Sequence, residues 1–139
     1  MNFDKLRSRL IRSEGLRQFP YVDTVGKTTI GVGHNLTDKG LTSQQIMGIL
    51  DNDIKDTLAF LDSRLSWWTQ LDDVRQVALA DLTFNLMNKL LGFKRMLAAL
   101  QAKDWNTAAD ELLNSKFAIQ TGQRSRDLAA MFRTGRYVV

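Results

Sequence analysis

Apolar residues follow a helical repeat over most of the chain and a strand-like one over a single stretch. Phe3, Leu6, Leu10 and Ile11 fall at i, i+3, i+7 and i+8, which gives a helix over residues 3–12 one apolar face. Asn2 is suited to cap its start and Gly15 to stop it, so Glu14 stands where the helix ends and the chain turns. Residues 17–34 change character. Pro20, Gly26, Gly31 and Gly33 punctuate a run of Tyr, Val, Thr and Ile, which predicts two or three short strands with DTVGK as a turn. Thr42-Ser43-Gln44-Gln45 has the form of a capping box. Behind it Ile46, Ile49, Leu50, Ile54, Leu58, Leu61 and Leu65 carry a helix of about 20 residues, roughly 30 Å long.

From Leu71 onward one helical pattern follows another. Asp72 or Asp73 starts a helix through Val74, Val77, Ala78, Leu82 and Leu86, and Gly92 opens one with Phe93, Met96, Leu97 and Leu100. Asp104 caps a third, with Trp105, Ala108, Ala109, Leu112 and Leu113, and Gln123 to Phe132 forms a fourth. The expected fold is α+β and mostly α. A small N-terminal lobe, about residues 13–60, holds a short antiparallel sheet. The long helix joins it to a helical C-terminal lobe that also takes in residues 1–12. Clefts between lobes are common ligand sites.

A chain of 139 residues with 44% hydrophobic residues is one domain with material for a packed core. The net charge of +4 favours a negative partner: nucleic acid, an anionic membrane face or an acidic polymer such as bacterial cell wall. Lys and Arg are dispersed and form no block of five, so a nucleic-acid arm is not expected. The absence of Cys excludes disulfides and thiolate chemistry and fits a reducing compartment. The first fifteen residues carry charges throughout, unlike a signal peptide, and no apolar run reaches membrane-spanning length, so stable membrane insertion is not expected.

Candidate chemistry gathers between Glu14 and His34. Cleaving a glycosidic bond takes one carboxyl that donates a proton to the leaving oxygen and a second that stabilises positive charge or activates water. Glu14, at a helix end, is the candidate acid, and Asp23, on a polar turn, the candidate base. Without further information, two such carboxylates are more often solvated surface groups. Thr28 and Thr29 face opposite sides of a strand, so one of them can hold a water near Asp23; ordinary strand propensity also accounts for the pair. His34, the only histidine, cannot belong to a histidine metal cluster. A structural hydrogen bond is its simplest role, with Asp53 on the long helix as the expected partner. The aromatics Trp67, Trp68, Phe84, Phe93, Trp105, Phe117 and Phe132 read mainly as core, and the pairs Arg124/Arg126 and Arg133/Arg136 as solvated positions.

The segment SEGLRQFPYVDTVGKTTIGVGHNLT resembles the active-site segment of phage lysozymes of the T-even type, glycoside hydrolase family 24, in the spacing of Glu14, Asp23, Thr29 and the Gly-x-Gly-His ending at His34. The likeness continues through LDDVRQVALADLTFN, GFKRMLAALQAKDWNTAADELLNSKF and QTGQRSRDLAAMFRTG. It implies an endolysin that hydrolyses the β-1,4 bond between N-acetylmuramic acid and N-acetylglucosamine in peptidoglycan. Glu14 would be the general acid, Asp23 would activate the water or stabilise the transition state, and Thr29 would position that water. Inversion is implied, with carboxyls roughly 6.5–9.5 Å apart. The resemblance pairs Arg124 with the catalytic Glu and His34 with Asp53, and sets Phe84 in the cleft wall.

Asn35 occupies a substrate-contacting position that is apolar in a relative, and Met96 and Glu111 replace polar ones, so sugar contacts do not transfer residue by residue. The chain is also shorter between Gly40 and Thr42 and around Trp67–Leu71. The family further implies synthesis in the host cytoplasm, action on the periplasmic wall after release, dependence on a pore-forming holin, and a monomer. Two carboxyls and water suffice for the chemistry, so no metal or cofactor is expected. Two rivals are a wall-binding module without hydrolysis and a small basic helical protein for nucleic acid.

Overall fold

The computed structural model describes residues 1–138. By compactness the chain divides into two units, Met1–Ile49 and Leu50–Val139.

The first unit opens with α1 (Phe3–Glu14). Its ends are fixed as the sequence indicates: the Asn2 side chain accepts from the Lys5 N–H at 3.0 Å, and Gly15, at φ +76°, donates its N–H to the Ile11 carbonyl at 2.8 Å. Three antiparallel strands follow in the order β1-β2-β3: β1 (Arg17–Val22), β2 (Thr28–Gly31) and β3 (His34–Asn35). Tyr21 pairs with Thr29 and Val22 with Thr28, while Thr29 and Ile30 pair on their other side with Asn35 and His34. Pro20 lies within β1, not at its end. The β1–β2 register is irregular between Arg17 and Tyr21, and β1 is an edge strand, where a residue without an N–H is tolerated.

A short helix that the periodicity does not announce, α2 (Leu36–Lys39), leads to α3 (Ser43–Arg64). The start of α3 is a reciprocal capping box: Thr42 N–H to Gln45 Oε1 at 2.8 Å, and Gln45 N–H to Thr42 Oγ1 at 3.2 Å. Thr29 is the one buried side chain of this unit among the described residues. Phe3, Leu6, Leu10 and Ile11 stay exposed and, with Val32, line an apolar groove.

The second unit is helical. Beyond α3 it contains α4 (Asp73–Leu86), α5 (Lys94–Gln101), α6 (Trp105–Leu113), α7 (Lys116–Thr121) and α8 (Gln123–Thr134). Two 3-10 turns, Ser66–Gln70 and Met87–Gly92, and the six-residue α7 were not foreseen from the pattern. Helix α6 packs against both α5 and α8, and α4 also meets α8. Leu61, Leu79, Leu82, Leu90, Leu100, Leu112 and Phe132 are fully buried where these helices meet. Each such side chain contributes roughly 1.5–3 kcal/mol on leaving water.

One charged residue belongs to this interior. Arg75 is buried; its guanidinium lies 3.8 Å from the centroid of the Trp105 ring and donates to the Phe132 carbonyl at 2.7 Å. It thereby satisfies a carbonyl in the last turn of α8, which has no helical partner of its own. Arg75 also binds Asp72, the N-cap of α4, at 2.9 Å. Partial burial raises the Asp72 pKa, but the hydrogen bonds and charge of Arg75 outweigh that and hold the carboxyl below its ordinary value of 3.8.

Candidate active site

Glu14, Asp23, Thr29, His34 and Asn35 all lie in the first unit, and its turns and strands fix most of them. Asp23 follows β1 directly. Its Oδ1 accepts from two backbone N–H groups of the turn, Val25 at 2.9 Å and Lys27 at 2.8 Å. Its own N–H donates to the Lys27 carbonyl at 2.9 Å. The turn therefore occupies one carboxyl oxygen, while Oδ2 takes no hydrogen bond from the described residues. Thr29 Oγ1 donates to the same Lys27 carbonyl at 3.0 Å, so one oxygen ties Asp23 and Thr29 together. Of the two threonines, Thr29 is the inward one, 4% exposed, whereas Thr28 is exposed. With its proton committed to Lys27, the Thr29 hydroxyl can offer only its lone pairs to a water.

Glu14 closes α1 and rests against the turn between β2 and β3. Gly33, at φ +63°, sits so close that a Cβ there would come within 3.0 Å of Glu14 Oε2. Both the left-handed backbone and the carboxyl beside it call for glycine at this position. The contact joins Glu14 to the sheet that carries Thr29.

His34 and Asn35 have local duties. His34 Nε2 lies 2.7 Å from the Gly40 carbonyl, a partner not anticipated from sequence. Asp53, exposed on α3, belongs to the second unit. Asn35 caps α2: its Oδ1 accepts from the Asp38 N–H at 3.0 Å and its Nδ2 donates to Asp38 Oδ2 at 2.9 Å. That leaves one amide hydrogen for other use.

In the second unit, Phe84 and Arg124 line one apolar groove of about 490 Å³ with Leu50, Ile54, Leu58, Val77 and Asp81. Phe84 is 40% exposed and so stands in a wall instead of the core. Asp81 was missed by sequence reading. It holds the Arg124 guanidinium at 2.6 Å and 3.2 Å through Oδ1 and again through its carbonyl at 3.2 Å. Nothing in an isolated Asp on a helix signals such a partner 43 residues away. Met96 is 1% exposed and part of the core, and with Glu111 it lines a second groove.

A model of the phage lysozyme family matches residues 11–132, a span that contains all of these residues. The chain belongs to the phage lysozyme family. Relatives of similar length point the same way. Probable T4-type lysozyme 2 of Dictyostelium discoideum is 29% identical over 161 aligned positions, and Probable T4-type lysozyme 1 of the same organism is 26% identical over 160; each alignment covers 94% of both chains. The Pre-baseplate central spike protein Gp5 of Enterobacteria phage T4 is 25% identical over 91% of this chain but over only 27% of its own length.

Family membership makes this a lysozyme-like glycosidase with peptidoglycan as its substrate. Among the described residues, no three His, Cys, Asp or Glu side chains are grouped to hold a metal, and no helix is long and apolar enough to cross a membrane.

Proposed function

We propose that this phage-lysozyme-family chain is an endolysin of glycoside hydrolase family 24, an N-acetylmuramidase that cuts the β-1,4 bond between N-acetylmuramic acid and N-acetylglucosamine and lyses the host cell. Glu14 protonates the leaving glycosidic oxygen. Water attacks the opposite face of the sugar, giving inversion. Asp23 Oδ2 takes one proton of that water, and Thr29 Oγ1 accepts a hydrogen bond from its other hydrogen.

The observation that carries this reading is the division of roles at Lys27: its N–H takes Asp23 Oδ1 and its carbonyl takes the Thr29 proton, which leaves Asp23 Oδ2 and the Thr29 lone pairs without a hydrogen bond from the described residues. Arg124, His34 and Asp53 support the site, and Phe84 and Asn35 meet sugar. The same proposal includes a single lysozyme domain with residues 1–12 grouped with the helical lobe, and a monomer made in the host cytoplasm. A holin releases it to the periplasmic wall; it needs no cofactor and no nucleic acid. Clearing of a suspension of permeabilised Gram-negative cells tests it. Wild type is expected to clear the suspension, and Glu14→Gln to lose at least about 10³-fold in rate with unchanged melting. Failure of both to clear it would leave a wall-binding module instead, and equal clearing by both would remove Glu14 from the chemistry.

A further inference from the structure

Helix α2 has only four residues, Leu36–Lys39, too few for a helix to hold by itself. It is pinned at both ends. Asn35 caps its start, and the carbonyl of Gly40, just past its end, lies 2.7 Å from His34 Nε2. Its side chains then reach back to the strands. Thr37 Oγ1 accepts from the Thr28 backbone N–H at 2.8 Å, and Asp38 Oδ1 accepts from Lys27 Nζ at 3.1 Å. The other Asp38 oxygen accepts from Asn35 Nδ2 at 2.9 Å, so one carboxylate ties β3 to the turn before β2.

The two residues that α2 grips are the ones that hold the site. The Lys27 N–H donates to Asp23 Oδ1, and the Lys27 carbonyl takes both the Asp23 N–H and the Thr29 hydroxyl. Lys27 therefore meets both site residues with its backbone and α2 with its side chain. Its neighbour Thr28 opens β2, one position beyond the β2–β3 pairs Thr29–Asn35 and Ile30–His34. Stability does not account for these contacts. Thr37 and Asp38 are exposed, and an exposed ion pair such as Lys27–Asp38 contributes little to folding. Such bonds fix direction, and a displacement of about 1 Å at a reacting group costs on the order of 10²-fold in rate.

We propose that Thr37 and Asp38 are positioning residues: α2 holds Thr28 and Lys27 in place, and through Lys27 it sets the aim of Asp23 and Thr29. The inference rests on the hydrolytic roles given to Asp23 and Thr29 above. Thr37 and Asp38 act through the turn, and neither meets the sugar.

Steady-state hydrolysis of soluble peptidoglycan strands by the full chain, with amide hydrogen exchange beside it, tests this. In Thr37→Val and in Asp38→Ala, kcat is expected to fall about tenfold with KM within about twofold of wild type. Exchange of the Val25 and Lys27 amides, which donate to Asp23 Oδ1, is expected to quicken at least about fivefold. Thr37→Ser restores the accepting oxygen and is expected to keep kcat within about twofold of wild type. Asp23→Asn, run alongside, separates the two readings. If it is inactive while Thr37→Val and Asp38→Ala keep wild-type kcat, or lower the melting temperature without quickening exchange, α2 is scaffold alone; the proposal is overturned and the role of Asp23 stands. Wild-type activity in Asp23→Asn overturns both.

Discussion

In the second unit Leu79, Leu82, Leu112 and Phe132 reach zero exposure, whereas in the first the buried side chain among the described residues is that of a threonine. One unit is ordered by apolar packing. The other is ordered by capping, strand pairing and hydrogen bonds within turns, and it carries Glu14 and Asp23, the carboxylates proposed for catalysis. Hydrogen bonds fix direction better than apolar contacts do, which suits groups that must aim at a reacting bond. They add less to stability, about 1 kcal/mol each. The two units should therefore answer mutation differently.

The largest loss of stability is expected in the packed unit. Phe132→Ala leaves a cavity at the centre of the core and is expected to cost about 4 kcal/mol, read from the urea midpoint, with little change in rate per folded molecule. Gly33→Ala is expected to do the reverse. Its left-handed backbone makes the strain about 1–2 kcal/mol, yet the new methyl displaces the Glu14 carboxyl, and hydrolysis should fall about 10²-fold. If Gly33→Ala costs stability and spares the rate, the packing of Glu14 on that turn has no catalytic meaning.

Smallest is the contribution of Asp72. Asp72→Ala removes a helix cap worth about 1 kcal/mol near neutral pH. Because the folded carboxyl has a lowered pKa, the ionised group's contribution is present above the ordinary value of 3.8 and is lost as pH falls through the lower folded value. Urea midpoints of wild type and variant are expected to converge in that acid range. A gap that widens with acid would contradict the direction of the shift.

The regular elements were largely legible in the sequence. Asn2, Thr42, Asp72 and Asp104 marked four helix starts, because a cap is a local signal. The strand region was legible from glycine spacing and β-branched residues as two or three strands, and three are present. The turns Ser66–Gln70 and Met87–Gly92 were not, since short 3-10 segments have no apolar period of their own. Nothing in the sequence marks Arg75; its burial depends on Trp105 and the end of α8, both far along the chain.

In the site, the spacing of Glu14, Asp23 and Thr29 was legible together with the family pattern. The division of labour at Lys27 was not, because it depends on which oxygen of Asp23 the turn occupies. Asp81 escaped for the same reason as Arg75, its meaning lying in a distant partner.

Asp23→Asn separates scaffold from chemistry most directly. The Asn carbonyl oxygen can still accept from Val25 and Lys27 and keep the turn, while an amide NH2 in place of Oδ2 cannot take a proton from water. Release of reducing ends from peptidoglycan is expected to fall at least about 10³-fold while the melting temperature stays within a few degrees of wild type. Activity within tenfold of wild type at unchanged stability would show that the Asp23 carboxylate does not handle the attacking water.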